Sequence, residues 1–165
     1  VDVRIDPLDE RGLADLLDAA VAGADPAEVL PAAAGATWDD GLRARFLAFH
    51  RGRALAPDPV ERTWVVRADG DAVGALRLEP GPDGDEVGIW LVRDARGRGL
   101  GAAAVRQLLG PGQLAGPVGA AGTPLVARTT TANRAALGLL RALGAVTAPG
   151  TDGAVTARFP SDDHG

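Results

Sequence analysis

Cysteine, lysine and tyrosine are missing from this sequence altogether. Without cysteine there is no disulfide framework, no thiol nucleophile and no thiolate metal site. Only two histidines occur, His50 and His164, too few for a metal cluster built from spaced pairs, so no metal is expected. The single serine, Ser161, lies in the polar end of the chain and leaves a Ser-His-Asp triad without a nucleophile. All 17 basic residues are arginine, which together with abundant Ala, Gly and Pro reads as coding bias rather than mechanism. The opening "VDVRIDPLDE" lacks the basic region and apolar core of a signal peptide. No apolar run approaches the ~18 residues needed to cross a membrane, so a cytoplasmic protein is expected.

The formal charge of −5 argues against a nucleic-acid partner, whose phosphates attract basic surfaces. It is compatible with a cationic acceptor, although an ordinary acidic bacterial surface accounts for it equally well. A hydrophobic content of 46% over 165 residues suits one domain with a real core. Residues 1–160 read as that single domain and 161–165 as a polar tail.

Element signals follow one another along the chain. Val1 to Ile5 alternates as a strand, and Asp6-Pro7 predicts a helix start with the stripe Leu13, Leu16, Leu17 and Ala20. A loose Ala/Pro/Gly stretch follows. A helix then begins near Trp38, with Asp39 and Asp40 in its first turn and Trp38, Leu42, Phe46 and Phe49 on one face. "RTWVVRA", "AVGALRLE" and "EVGIWLV" are separated by turn sequences and predict three antiparallel strands. A helix carries Leu100, Ala104, Val105, Leu108 and Leu109, and the stretch from Gly110 to Gly122 ends it. "PLVARTT" predicts a strand, and "ANRAALGLLRALG" a helix with Ala136, Leu137, Leu140 and Leu143 inward. "AVTA", "PGTDG" and "AVTARF" close the chain as a hairpin. The order implies an α/β sandwich with a mixed sheet.

The chemistry centres on "EVGIWLVRDARGRGLGAAAV", where a strand runs into glycines and then a helix. Free N–H groups at a helix start and the positive end of its dipole make an anion site. Glycines at 97, 99 and 101 let a phosphate approach the backbone, and Arg96 and Arg98 add charge. A P-loop requires Gly-Lys-Ser/Thr, which a chain without lysine cannot supply. Gly97, Gly99 and Ala102 satisfy the dinucleotide fingerprint formally. No Asp or Glu follows between Asp94 and Asp152 to bind a ribose, and the strand belongs to an antiparallel run, so a nucleotide-binding oxidoreductase fits poorly.

Arg96-Gly97-Arg98-Gly99-Leu100-Gly101 resembles the R/Q-x-x-G-x-G/A signature of the GNAT superfamily of N-acetyltransferases. "GIWL" is similar to the "GYWL" of the branch that acetylates ribosomal-protein N-termini, and "NRAALGLLRALGA" looks like a second motif of the family. The resemblance covers roughly Arg62 to Ala145. It implies a GNAT-like mixed, mostly antiparallel sheet with helices on both faces, and acetyl-CoA as co-substrate. By the same resemblance, the backbone of Trp90, Leu91 and Val92 pairs with the pantetheine arm. Arg96, Gly97, Arg98, Gly99, Leu100, Gly101 and Ala102 hold the pyrophosphate, and Asn133 bonds the pantetheine.

The implied reaction acetylates a primary amine of a small molecule or peptide. Glu86 stands where several family members carry a glutamate base, sharing a strand face with Gly88 and Trp90; a solvated strand-end acid is the plainer alternative. Glu79 and Asp85 are reserves, and His50 is a further candidate base that also suits a helix end. Trp38, Phe46 and Phe49 could line the acceptor pocket, with Asp39 or Asp40 drawing in a cation, although packing and capping also explain them. Many family members use a tyrosine on the last helix to protonate the leaving sulfur; the matching position here is Leu140, on the inward stripe. The absence of that tyrosine keeps open a non-catalytic acyl-CoA-binding module. Pairing of two copies through the closing hairpin or a sheet edge is expected from the family.

Overall fold

A computed structural model describes residues 1–114 and 123–160. The expected tail, with Ser161 and His164, and part of the Gly110 to Gly122 stretch lie outside the described residues. Seven strands are present among those described: β1 (Val3–Pro7), β2 (Arg62–Ala68), β3 (Asp71–Gly81), β4 (Gly84–Leu91), β5 (Leu125–Thr130), β6 (Val146–Pro149) and β7 (Ala154–Arg158). They form one sheet in the order β1-β2-β3-β4-β5-β7-β6. Only the β4–β5 pairing is parallel. The helices are α1 (Glu10–Gly23), α2 (Pro26–Val29), α3 (Asp40–Ala54), α4 (Leu100–Leu108) and α5 (Arg134–Ala142).

Strand alternation divides the core in two. Trp64, Val66, Leu76, Leu78 and Val87 point to one face, where Ala104, Val105 and Leu108 of α4 and Leu140 of α5 cover them. Val65 and Ala75 point to the other, under Leu13, Leu16 and Ala20 of α1 and Phe46 of α3. The sheet is therefore mixed, as the element order predicts, and mostly antiparallel with helices on both faces, as the family resemblance implies. Among the described residues no helix is long and apolar enough to cross a membrane.

Two local expectations are corrected. Asp6-Pro7 does not begin α1; both residues belong to β1, an edge strand, where a residue without an N–H is tolerated. The helix starts instead at Glu10, with Asp9 accepting the Gly12 N–H at 2.7 Å as its N-cap. The stretch after α1 is not all loose: Asp25-Pro26-Ala27-Glu28 forms a capping box with proline in the first turn, and this makes α2. On α5 only Leu140 is fully buried, whereas Ala136, Leu137 and Leu143 are half-covered.

Candidate active site

The centre of the sheet comes apart. β4 pairs with β5 at only two positions, Asp85 with Leu125 and Glu86 with Val126. Beyond them β5 continues against β7 alone, so the edge of β4 from Val87 to Leu91 has no neighbouring strand. Backbone groups on an unpaired edge seek partners, so this gap invites an extended ligand. Near its end the edge is already partly used. Leu91 gives its carbonyl to Arg96 Nε at 2.9 Å. Val92, which the resemblance groups with Trp90 and Leu91, donates its N–H to Val73 and gives its carbonyl to Ala95. Both backbone groups of Val92 are spent inside the protein, so it does not extend the free edge.

The glycine segment lies just beyond. Gly97 and Gly99 have φ of +72° and +77°, a region that side chains strain to enter, and nothing lies within 4 Å of a Cβ placed at either. Gly99 caps α4 without any side-chain bond, and Ala103 makes the first helical turn onto its carbonyl. The N–H groups of Leu100, Gly101 and Ala102 are the ones such a start leaves unspent. Gly101 serves a different purpose: a Cβ there would meet Leu139 Cδ1 at 2.8 Å, so it lets α4 close against α5. Arg96, Gly97, Arg98 and Gly99 are all exposed at this helix start. Arg98 Nη1 reaches only the Asp94 carbonyl, at 3.5 Å. Asn133 caps α5 by accepting the Ala136 N–H at 3.1 Å, a task for its side-chain oxygen that does not use the amide NH₂.

On the α1–α3 face, register sets Glu86, Gly88 and Trp90 opposite Glu79, Arg77 and Ala75 of β3. Glu86 is partly exposed and 3.4 Å from Arg128 Nη1, while Arg128 Nη2 makes the tighter pair, 2.8 Å, with Asp83. Asp85 has the opposite parity and points away from this face. Burial pushes its carboxyl above the usual carboxylate range.

A cleft of about 400 Å³ opens beside β4, lined by residues that include Glu28, Leu30, Phe49, Arg53, Arg77, Glu79 and Trp90. Its charged floor rests on Glu61, which is 0% exposed. Glu61 accepts from Arg77 Nε at 3.0 Å and from Arg53 Nε at 3.1 Å. Burial would raise the Glu61 pKa, but the bonds from Arg77 and then Arg53 outweigh it and hold the carboxyl below its usual range. Of this cluster the sequence points only to Glu79, because the members come from α3, from the residue just before β2 and from β3, with no shared spacing.

The remaining candidates divide. Phe49 and Trp90 line the cleft. Phe46 is wholly buried, and Trp38 donates its indole N–H to the Ala24 carbonyl at 2.8 Å, so both are structural. Asp39 caps α3 by accepting the Leu42 N–H. His50 is 1% exposed and sealed between Phe46 and Phe49, with neither ring nitrogen bonded. Burial, reinforced by Arg77, lowers its pKa to about 4. It is a neutral core residue rather than a base open to the cleft. No group of residues able to hold a metal ion occurs among those described.

The sequence matches the model of the Acetyltransferase (GNAT) family over residues 26–145, and the chain belongs to that family. The match begins well before Arg62 and so takes in α2 and α3. No curated protein matches the chain. Among solved structures it is similar to an acetyltransferase from Thermus thermophilus, at 17% identity over 97% of both chains with a TM-score of 0.66. It is also similar to the GNAT domain of S. lividans PAT, at 15% identity, 95% and 89% coverage and a TM-score of 0.66. A third likeness is to RimL, the ribosomal L7/L12 α-N-protein acetyltransferase, at 15% identity, 96% and 93% coverage and a TM-score of 0.61. At these identities the likeness speaks for the fold.

Proposed function

We propose that this chain is an N-acetyltransferase that moves an acetyl group from acetyl-CoA to a primary amine of a small molecule or peptide by direct attack. The observation that carries this reading is the meeting, along β4 and the loop that follows it, of an unpaired edge, a helix start with no side-chain cap and a cleft lined by charged residues. The residues fit the co-substrate. Open space over Gly97 and Gly99, free N–H groups at the start of α4, and Arg96 and Arg98 suit a pyrophosphate. Trp90 and Leu91 border the gap that a pantetheine arm would fill, and Asn133 has amide donors to spare for it. Bound there, acetyl-CoA supplies a thioester carbonyl for an amine to attack.

The protein's task is then to remove a proton. An alkyl amine with pKa ~10.4 costs roughly 4.6 kcal/mol to deprotonate unaided at pH 7. Glu86 takes that proton, directly or through a water, from its half-exposed position facing the acceptor side of β4. The leaving thiol, with pKa ~8.5, can depart as thiolate or draw its proton from water. That accommodates Leu140, which is 3% exposed and fully occupied with packing. Two copies pair through β6, whose four residues are all exposed at the end of the sheet. A single monomer mass in light scattering over a hundredfold concentration range would remove that part.

The experiment is a panel of amines screened for CoA-thiol release, with acetyl-CoA binding followed separately by thermal shift. The protein has no thiols to raise the background. Acetyl-CoA should raise Tm, whereas acetate and NADH should not. Gly99→Asp should abolish the shift, because a strained, negatively charged side chain would stand in the phosphate site. Binding without CoA release from any amine would favour the non-catalytic acyl-CoA-binding module, and no binding at all would sink both.

A further inference from the structure

We infer that the acceptor carries a carboxylate as well as the amine, and that Arg53 and Arg77 read it. This rests on the amine-acetylation reading and names the class of its substrate. Burying a carboxylate completely is costly, and such a group is stable only when it is paired and hydrogen-bonded. Glu61 meets that condition by holding two guanidiniums at once, Arg77 by Nε and Nη2 and Arg53 by Nε. Both guanidiniums also stack on Phe49, 5.0 and 5.6 Å from the ring centre. Two arginines are thus fixed in place on the floor of a cleft, their Nη1 groups without a hydrogen-bond partner among the described residues. Fixed, planar donors of this kind match a carboxylate.

The distribution of charge points the same way. Glu61 is sealed from the cleft, so an acceptor cannot reach it. Glu79 is half-exposed but paired with Arg53, and lies 3.7 Å from Arg77 Nη2. Glu28 is paired with Arg96 at 3.0 Å. A second ammonium on the acceptor would have to break one of these pairs and then sit beside two guanidiniums. A carboxylate needs only the free Nη1 donors, or the place that Glu79 occupies at the solvent side.

A second observation supports an occupant. Gly88 lies directly across from Arg77, is exposed, has no positive φ, and a Cβ there would touch nothing within 4 Å. Neither backbone conformation nor packing asks for glycine in the middle of β4, where it weakens a strand. The bare position leaves the path between the β4 edge and the two arginines open.

The test compares matched amines with and without a carboxylate: phenylalanine against phenethylamine, and 6-aminohexanoate against hexylamine. In CoA-release assays at fixed acetyl-CoA, at least one carboxylate member should have a kcat/KM tenfold or more above its partner. Arg53→Gln should bring that ratio close to one while acetyl-CoA still raises its Tm. Glu79→Gln, at a half-exposed position, should lower KM for the preferred carboxylate severalfold by removing the competitor. Calorimetric binding of the same four compounds to CoA-loaded protein gives a readout independent of turnover and should show the same order. If amines turn over but the carboxylate-free members are equal or better in both pairs, the inference fails while the acetyltransferase reading stands. If nothing turns over and the carboxylate members bind no more tightly, it fails as well.

Discussion

Arg96 Nη2 lies 3.0 Å from Glu28 Oε1, so the glycine loop and the wall of the cleft beside β4 are joined by an ion pair. The other Glu28 oxygen accepts the Asp25 N–H at 2.8 Å and closes the capping box of α2. A pyrophosphate at the loop would compete with Glu28 for Arg96. Because both partners are over a third exposed, the pair contributes at most about 1 kcal/mol. Glu28→Gln should therefore tighten acetyl-CoA binding by about two- to fivefold at low salt, with α2 intact because glutamine also closes a capping box. The gain should vanish at high salt. Weaker binding in a titration would mean that the pair shapes the loop instead.

If Glu86 is the proton acceptor, Glu86→Gln should leave acetyl-CoA affinity nearly unchanged, since the residue lies upstream of the free β4 edge. Loss of a general base typically costs about 10²- to 10⁴-fold, so kcat at pH 7 should fall by at least the lower figure. Part of the activity should return at higher pH, where solvent deprotonates more of the amine. A variant with near wild-type kcat would take Glu86 out of the mechanism.

Gly88→Val separates packing from function. The position is open and its φ is ordinary, so a β-branched residue should keep or raise Tm, by the equivalent of up to about 1 kcal/mol. The same side chain would enter the path to Arg77, and kcat/KM should drop at least about tenfold. A stable variant with unchanged turnover would show that no acceptor passes there.

Much of this architecture is written locally. The apolar runs "RTWVVRA" and "AVGALRLE" between turn sequences yield β2 and β3, and the glycines at 97 and 99 leave the open backbone that their place in the sequence suggests. Asp25-Pro26-Ala27-Glu28 is equally local, a complete capping-box pattern hidden in an alanine-rich stretch. The ionic floor is of another kind. Glu61, Arg53 and Arg77 meet only because β2, β3 and α3 come together, and each alone reads as an ordinary surface charge. The two-pair joint between β4 and β5 is likewise set by how whole strands diverge, and no residue along β4 announces it.

His50 makes a pH prediction. Its folded pKa of about 4 lies below the ordinary 6.5, so between those values the unfolded chain binds a proton that the folded chain refuses. Stability should be indifferent to this group well above pH 6.5, and should fall progressively on acidification through that value toward about pH 4. His50→Phe removes the titration and two unbonded buried nitrogens. Urea midpoints at pH 6.5 and about 5, above the range where Glu61 takes up its proton, should differ less in the variant than in wild type. Equal acid sensitivity would place the titrating group elsewhere.

The narrow joint within the sheet has a consequence for how the molecule opens. Strands β5, β7 and β6 zip together along their lengths, yet they hold to β1 through β4 by two aligned pairs and by helices packed across one face. Such a seam should let the chain open as two cooperative units of unequal local stability. Native-state hydrogen exchange should find the β5-β7-β6 unit opening at lower free energy than the β2-β3-β4 unit. A molecule lying along the bare edge of β4 would act as the absent stretch of β-structure between them. Under saturating acetyl-CoA the two opening free energies should converge, so that the ligand serves as a structural strand for as long as it is bound.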